Sequence, residues 1–220
     1  MDQVIFDLIK TSGNKQLEER LKENPSLADN KTETGISLLQ YAVYCGNVYA
    51  AGILRKYKPD IDIFEAAAVG DINTAARLLQ INPELLHTFS PDGFTVLGLA
   101  SYFGHLSLVK FLLEEGADPN ITSNNQLNVA PIHSACAISD IEIAELLIEN
   151  GANVNAKQTQ GVTPLHSAAN NGKTLLVMLL IKKGAVVNAK MDNGQTPLSM
   201  ALKNDFQETA ELIRSYGGQL

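Results

Sequence analysis

Apolar positions along this 220-residue chain come in paired bursts separated by glycine-bearing turns. Gly161-Val162-Thr163-Pro164-Leu165-His166-Ser167-Ala168-Ala169 is echoed 33 residues later by Gly194-Gln195-Thr196-Pro197-Leu198-Ser199-Met200-Ala201-Leu202. Looser copies stand upstream at Ala130-Pro131-Ile132-His133-Ser134-Ala135-Cys136, at Gly93-Phe94-Thr95-Val96-Leu97-Gly98-Leu99-Ala100 and at Gly35-Ile36-Ser37-Leu38-Leu39-Gln40-Tyr41-Ala42. A second apolar stretch follows each copy, so one unit reads as two helices. Thr163 is placed to cap the first helix, and Pro164 at its first position gives up only an amide hydrogen that has no helical partner there. Ala168 and Ala169 are small enough for neighbouring first helices to approach closely. Leu146-Leu147 and Leu179-Leu180 supply the apolar stripe of second helices, and Gly151 and Gly184 suit a left-handed residue just past a helix end.

The first half is less regular but carries its own longer echo. Ile5-Phe6, Gly13, Asn24-Pro25, Leu27, Gly35 and Leu39 reappear as Ile63-Phe64, Gly70, Asn82-Pro83, Leu85, Gly93 and Leu97, at an offset of 57 or 58 residues. This reads as a short unit plus a full unit, duplicated. Units at 1–29, 30–61, 62–87, 88–121, 122–155, 156–188 and 189–220 then make a single array of about seven helix pairs, the first a capping repeat and the third short.

Glu115-Gly116-Ala117-Asp118-Pro119-Asn120, Asn150-Gly151-Ala152-Asn153-Val154-Asn155 and Lys183-Gly184-Ala185-Val186-Val187-Asn188 close three of the units. Together with the Thr-Pro-Leu-His-type blocks in register, they resemble the ankyrin-repeat family. The resemblance implies an all-α repeat solenoid with β-hairpin-type fingers between units. It also implies a non-catalytic module that binds a protein or peptide on its concave surface of inner helices and fingertips. A dedicated regulatory inhibitor of a partner enzyme is the alternative function on the same fold.

Two irregularities interrupt the row. Pro59-Asp60-Ile61-Asp62 is too short for a finger, and Asp62 with Glu65 forms a capping box that starts the next helix directly. Conversely, Asn120 to His133 spans 13 positions where Asn155 to His166 spans 11, so the finger 122–128 is longer and is expected to project. It is either a tolerated surface insertion or a contact loop. In the same unit Ala130 replaces the capping threonine.

Composition narrows the function. The net charge is −7, and no run of Lys and Arg could neutralise a row of phosphates, which argues against nucleic acid as the ligand. No apolar run approaches the ~18 residues of a membrane helix, and no basic segment leads into an apolar one near Met1, so a cytoplasmic protein without membrane contact is expected. Cys45 and Cys136, far apart in sequence, support no disulfide framework. No His pair has the spacing of a zinc site and no glycine-rich loop leads into a helix, so neither metal, cofactor nor catalytic residue is assigned. Ser12 and Lys15 match a nucleophile spacing by chance. His133 and His166 occupy the Thr-Pro-Leu-His slot, where the resemblance implies local hydrogen bonding at the helix start.

Counting from the turn glycines, the resemblance places pairs of inner-helix residues on the concave face: Tyr44 and Cys45, Ala68 and Val69, Tyr102 and Phe103, Ala137 and Ile138, Asn170 and Asn171, Lys203 and Asn204. The first four pairs are apolar or aromatic and the last two polar. With fingertip residues beside them, the candidate partner-binding set is Tyr44, Phe94, Tyr102, Phe103, Leu127, Val129, Ile138, Asn170 and Asn171. The competing reading is that Tyr44, Tyr102 and Phe103 pack between repeats. Charge is also uneven, with 12 acidic and two basic residues over 62–155 and seven basic and four acidic over 156–220.

Overall fold

The computed structural model describes residues 2–220. Among them are fourteen α-helices and no β-strand. The helices follow one another in seven pairs: α1 (Gln3–Lys10) and α2 (Asn14–Glu23), α3 (Leu38–Tyr44) and α4 (Val48–Tyr57), α5 (Ile63–Val69) and α6 (Ile72–Ile81), α7 (Val96–Tyr102) and α8 (Leu106–Glu114), α9 (Pro131–Ile138) and α10 (Ile141–Glu149), α11 (Pro164–Asn170) and α12 (Thr174–Lys182), α13 (Pro197–Lys203) and α14 (Gln207–Ser215). Two compact units result, one ending at Val96 and the other spanning Leu97–Leu220.

Helices of seven to ten residues are too short to persist alone in water, so each must be held by burial against its neighbours. In the first unit α3 packs on α1 and α5, and α2 on α4. Leu38, Leu39, Ala42, Ile63 and Ala66 are buried there. In the second unit α11 packs between α9 and α13, while α10 touches α8 and α12, and α12 touches α14. Leu165 is buried there, and Ala135, Ala168, Ala169 and Ala201, also buried, are small enough to permit the close approach of the inner helices. The turn after an inner helix needs a left-handed residue. Gly104 (φ 75°) and Gly172 (φ 63°) provide it without strain, and Ser139 (φ 65°) and Asp205 (φ 60°) take the same conformation with a side chain.

The short junction before α5 is built as expected. Asp62 Oδ1 accepts from the amides of Phe64 (2.9 Å) and Glu65 (2.8 Å), and Glu65 Oε2 accepts from the Asp62 amide (2.9 Å). The other carboxylate oxygen of Glu65, a fully buried side chain, pairs with Lys58 Nζ at 2.6 Å. Burial also pushes the Asp62 carboxyl above its ordinary range.

The fingers on either side of this junction close over it. Residues 30–37 and 88–95 each form a loop fastened by a single antiparallel bridge, Lys31 to Ser37 and Phe89 to Thr95, in place of the strands of a hairpin. They touch directly, since a Cβ added at Gly35 would lie 3.2 Å from Pro91 Cβ. The Tyr44 hydroxyl donates to Asp92 Oδ2 at 2.6 Å, tying α3 to the second finger.

Candidate functional site

In the repeats of α9 and α11 the third residue of the inner helix, a histidine, serves as a connector. The Ala130 amide donates to His133 Nδ1 (3.3 Å), and the opposite nitrogen, which therefore bears the proton, donates to the Ala156 carbonyl at 3.0 Å. His166 repeats the arrangement. Its Nδ1 accepts from the Thr163 amide (3.2 Å) and hydroxyl (2.8 Å), and Nε2 donates to the Gln195 carbonyl in the next finger at 3.2 Å. The Thr163 hydroxyl thus meets the imidazole rather than a helix amide, whereas Thr196 and Ser199 form the reciprocal amide box. Burial holds both imidazoles below their ordinary pKa. The slot is structural, as the sequence implied.

Gln40 holds the same slot in α3, where the next finger is missing. Its amide nitrogen is buried and has no hydrogen-bond partner. The absent finger has therefore removed the carbonyl that the histidines find in their following units.

The asparagine ending each closing segment supplies a second clamp, which the sequence displays by recurrence but does not explain. Asn120 Nδ2 donates to the Gly151 carbonyl (3.0 Å) while its Oδ1 accepts from the Asn153 amide (2.8 Å). Asn155 does the same with Gly184 and Val186, and Asn188 with Gly217 and Gln219. Each side-chain amide occupies a carbonyl and an amide of the following unit's closing turn, fixing the step between repeats.

On this frame the inner-helix ends of the second unit form a continuous row. Tyr102 is 43% exposed and stacks edge-on with half-buried Phe103, the centroids 5.2 Å apart. A Cβ at the next residue, Gly104, would lie 3.6 Å from Ile138 Cδ1. Ile138 is 40% exposed, and the carbonyl of its neighbour Ala137 accepts from Asn171 Nδ2 at 3.2 Å. Asn170 in turn accepts at its backbone oxygen (3.2 Å) and Oδ1 (2.9 Å) from Asn204 Nδ2. Aromatic, aliphatic, amide and finally cationic side chains follow in that order, the last being exposed Lys203.

The finger candidates are held differently. Ser123 Oγ accepts from the Val129 amide (2.8 Å), and the Ser123 amide donates to the Val129 carbonyl (2.9 Å), leaving Val129 half-buried. Leu127 is 53% exposed, but its carbonyl accepts from the Thr159 amide at 2.9 Å, and the Thr159 hydroxyl donates to the Gln126 carbonyl. The long finger is tied to the following one. In the first unit, Tyr44 is half-buried with its hydroxyl engaged by Asp92, and half-buried Phe94 is fixed through its backbone to Ser90. Among the described residues no group of three His, Cys, Asp or Glu side chains is arranged to hold a metal ion, and no helix is long and apolar enough to cross a membrane. Cys45 is exposed and Cys136 buried, both as free thiols, and burial pushes the Cys136 thiol up to about 12.

Seven helix pairs, glycine turns and recurrent cross-repeat clamps define a helical repeat protein. The family model for ankyrin repeats matches residues 63–158 and 132–219, well over half of the chain, and the protein belongs to the ankyrin-repeat family. A fowlpox virus protein named for its ankyrin repeats is 29% identical over 163 residues, covering 70% of this chain and 36% of its own length. The mouse protein phosphatase 1 regulatory subunit 27 is 31% identical over 101 residues, 46% of this chain and 64% of its own. The human NAD-capped RNA hydrolase NUDT12 is 39% identical over 61 residues, 28% of this chain and 13% of its own. The chain thus spans between about a third and two thirds of the first two relatives.

Proposed function

We propose that the protein is a non-catalytic, cytoplasmic interaction module that binds a protein or peptide on the concave face of its inner helices and fingers. One observation carries this reading: Tyr102 and Ile138 stay exposed although the surrounding helix ends are clamped in place. Aromatic anchors on a rigid frame lose little conformational freedom on binding and make favoured interface centres. Leu127, Asn170 and Asn171 extend the same surface. Affinity capture from native extract, comparing the natural chain with a Tyr102→Ala, Ile138→Ala variant, tests it. The variant should lose its partner while its thermal melt stays cooperative. Equal capture by both would refute the assignment, and a collapsed melt would make these residues part of the core.

Similarity to a phosphatase regulatory subunit favours one second reading, in which the array acts by occluding a partner enzyme. Stoichiometric loss of the captured partner's activity distinguishes that role from passive scaffolding.

A further inference from the structure

The proposed binding face is not uniform, and its gradient specifies a ligand. From one end of the second unit to the other, the inner-helix termini present Tyr102 with Phe103, then Ala137 with Ile138, then Asn170 with Asn171, then Lys203 with Asn204. The contacts between Gly104 and Ile138, Asn171 and Ala137, and Asn204 and Asn170 show that these pairs adjoin.

Electrostatics distinguish the two ends. A helix C-terminus ordinarily offers unpaired carbonyls that favour cations. Here the Ala137 and Asn170 carbonyls already accept from the Asn171 and Asn204 side-chain amides, so both have a partner within the protein. Lys203 is exposed and has no ion-pair partner among the described residues. Its nearest acid in sequence, Asp205, accepts from Gln207 Nε2 at 2.7 Å within the following turn. By contrast, Lys110 on the outer helix α8 and Lys183 just past the end of α12 are paired with Glu114 and with Glu145 and Glu149. The acidic surplus of the middle repeats therefore includes an outer-helix face, while the inner row ends in an exposed lysine outside any salt bridge of the described residues.

Resting on the binding face proposed above, we infer that its occupant is an extended peptide segment with apolar side chains at one end and a carboxylate side chain at the other. The apolar end seats on Tyr102, Phe103 and Ile138, and the carboxylate meets Lys203. The spacing follows from packing. Neighbouring helices lie about 8–10 Å apart, which an extended chain crosses in about three residues. Two apolar residues about three apart, with Asp or Glu about six beyond the second, span the row. The amides of Asn170 and Asn171 lie under the intervening backbone.

Selection of phage-displayed random peptides, long enough to cross four repeats, against the full chain tests the inference. Enriched peptides should show the apolar pair and the distal acid at that spacing, in either chain direction. Lys203→Glu should reverse the acidic preference to a basic one and leave the apolar pair. Tyr102→Ala with Ile138→Ala should lower enrichment of the apolar pair about tenfold. All three residues are exposed, and a cooperative melt of each variant establishes that it folds. An apolar pair enriched without charge preference, or a preference unmoved by Lys203→Glu, overturns this inference and leaves the binding face standing. If no enriched peptide depends on Tyr102 and Ile138, both fail.

Discussion

Residues 40 and 166 occupy the same slot at the start of their inner helices, and both are buried, at 1% and 0% exposure. Removing their polar groups should nevertheless have different consequences. His166→Leu takes the acceptor from the Thr163 amide and hydroxyl, both in a buried residue, and the donor from the Gln195 carbonyl. That carbonyl keeps the Met191 amide as a partner at 2.9 Å, so the loss falls on Thr163. Orphaned buried groups cost about 1–3 kcal/mol each, and with the hydroxyl free to rotate the net loss is about 3 kcal/mol. Gln40→Leu instead removes an amide nitrogen that already has no partner, so its effect should lie within about 1 kcal/mol of zero and tend towards stabilisation. For a chain of this size about 2–4 °C accompanies each kcal/mol, so calorimetry should show His166→Leu melting roughly 6–12 °C lower in the transition it affects. Gln40→Leu should show no comparable fall. The same histidine predicts a pH dependence. Since burial holds its folded-state pKa below the ordinary ~6.5, the unfolded chain takes up a proton first as pH falls. Its contribution is complete above about pH 7 and is lost as pH drops through ~6.5, so stability should decline from pH 7.5 to 6 and decline less in His166→Leu. Equal costs for the two leucine variants, or an unchanged pH slope, would refute the slot argument.

Two further outcomes concern buried charge and thiols. Lys58→Met leaves the Glu65 carboxylate buried without its cation, close to Asp62, and should cost about 3 kcal/mol in urea unfolding; Glu65→Gln, which keeps the acceptor for the Asp62 amide, should cost less, and a Lys58→Met loss below about 1 kcal/mol would disprove the pairing's importance. An aromatic disulfide reagent should modify Cys45 in the folded protein and reach Cys136 only after denaturation, because burial of Cys136 suppresses its thiolate; rapid reaction of both thiols in the native state would contradict that burial.

The periodic part of the fold was legible because stacking imposes the same demand on every unit. Each repeat must bury one face on the next, so Leu165 and Ala168 return as Leu198 and Ala201 at fixed spacing. The box formed by Asp62 and Glu65 was legible for a different reason, since its partners lie three residues apart and depend only on local geometry. Contacts between distant positions were not. Tyr44 and Asp92 stand 48 residues apart and meet because the fingers on either side of the missing one close together. The longer finger at 122–128 read as a projecting loop, yet Thr159 fastens its tip through backbone carbonyls, groups that leave no trace in side-chain pattern. The partner of Glu65 was likewise hidden, since Lys58 reads as one more surface cation until the chain folds.

A division of labour among positions follows. His133, His166, Asn120, Asn155 and Asn188 identify the family because their polar atoms are consumed in joining one repeat to the next. A residue so committed has little left to offer a partner, and changing it alters the frame. The inner-helix ends vary more, even though Asn170, Asn171 and Asn204 also join neighbouring repeats there. Tyr102, Ala137, Asn170 and Lys203 fill equivalent places in successive repeats with four different chemistries, all exposed. Packing therefore does not dictate their identity. Where equivalent positions differ from repeat to repeat, the difference is the place to look for specificity, and on the proposed binding face that difference is the change from aromatic to cationic along a single row.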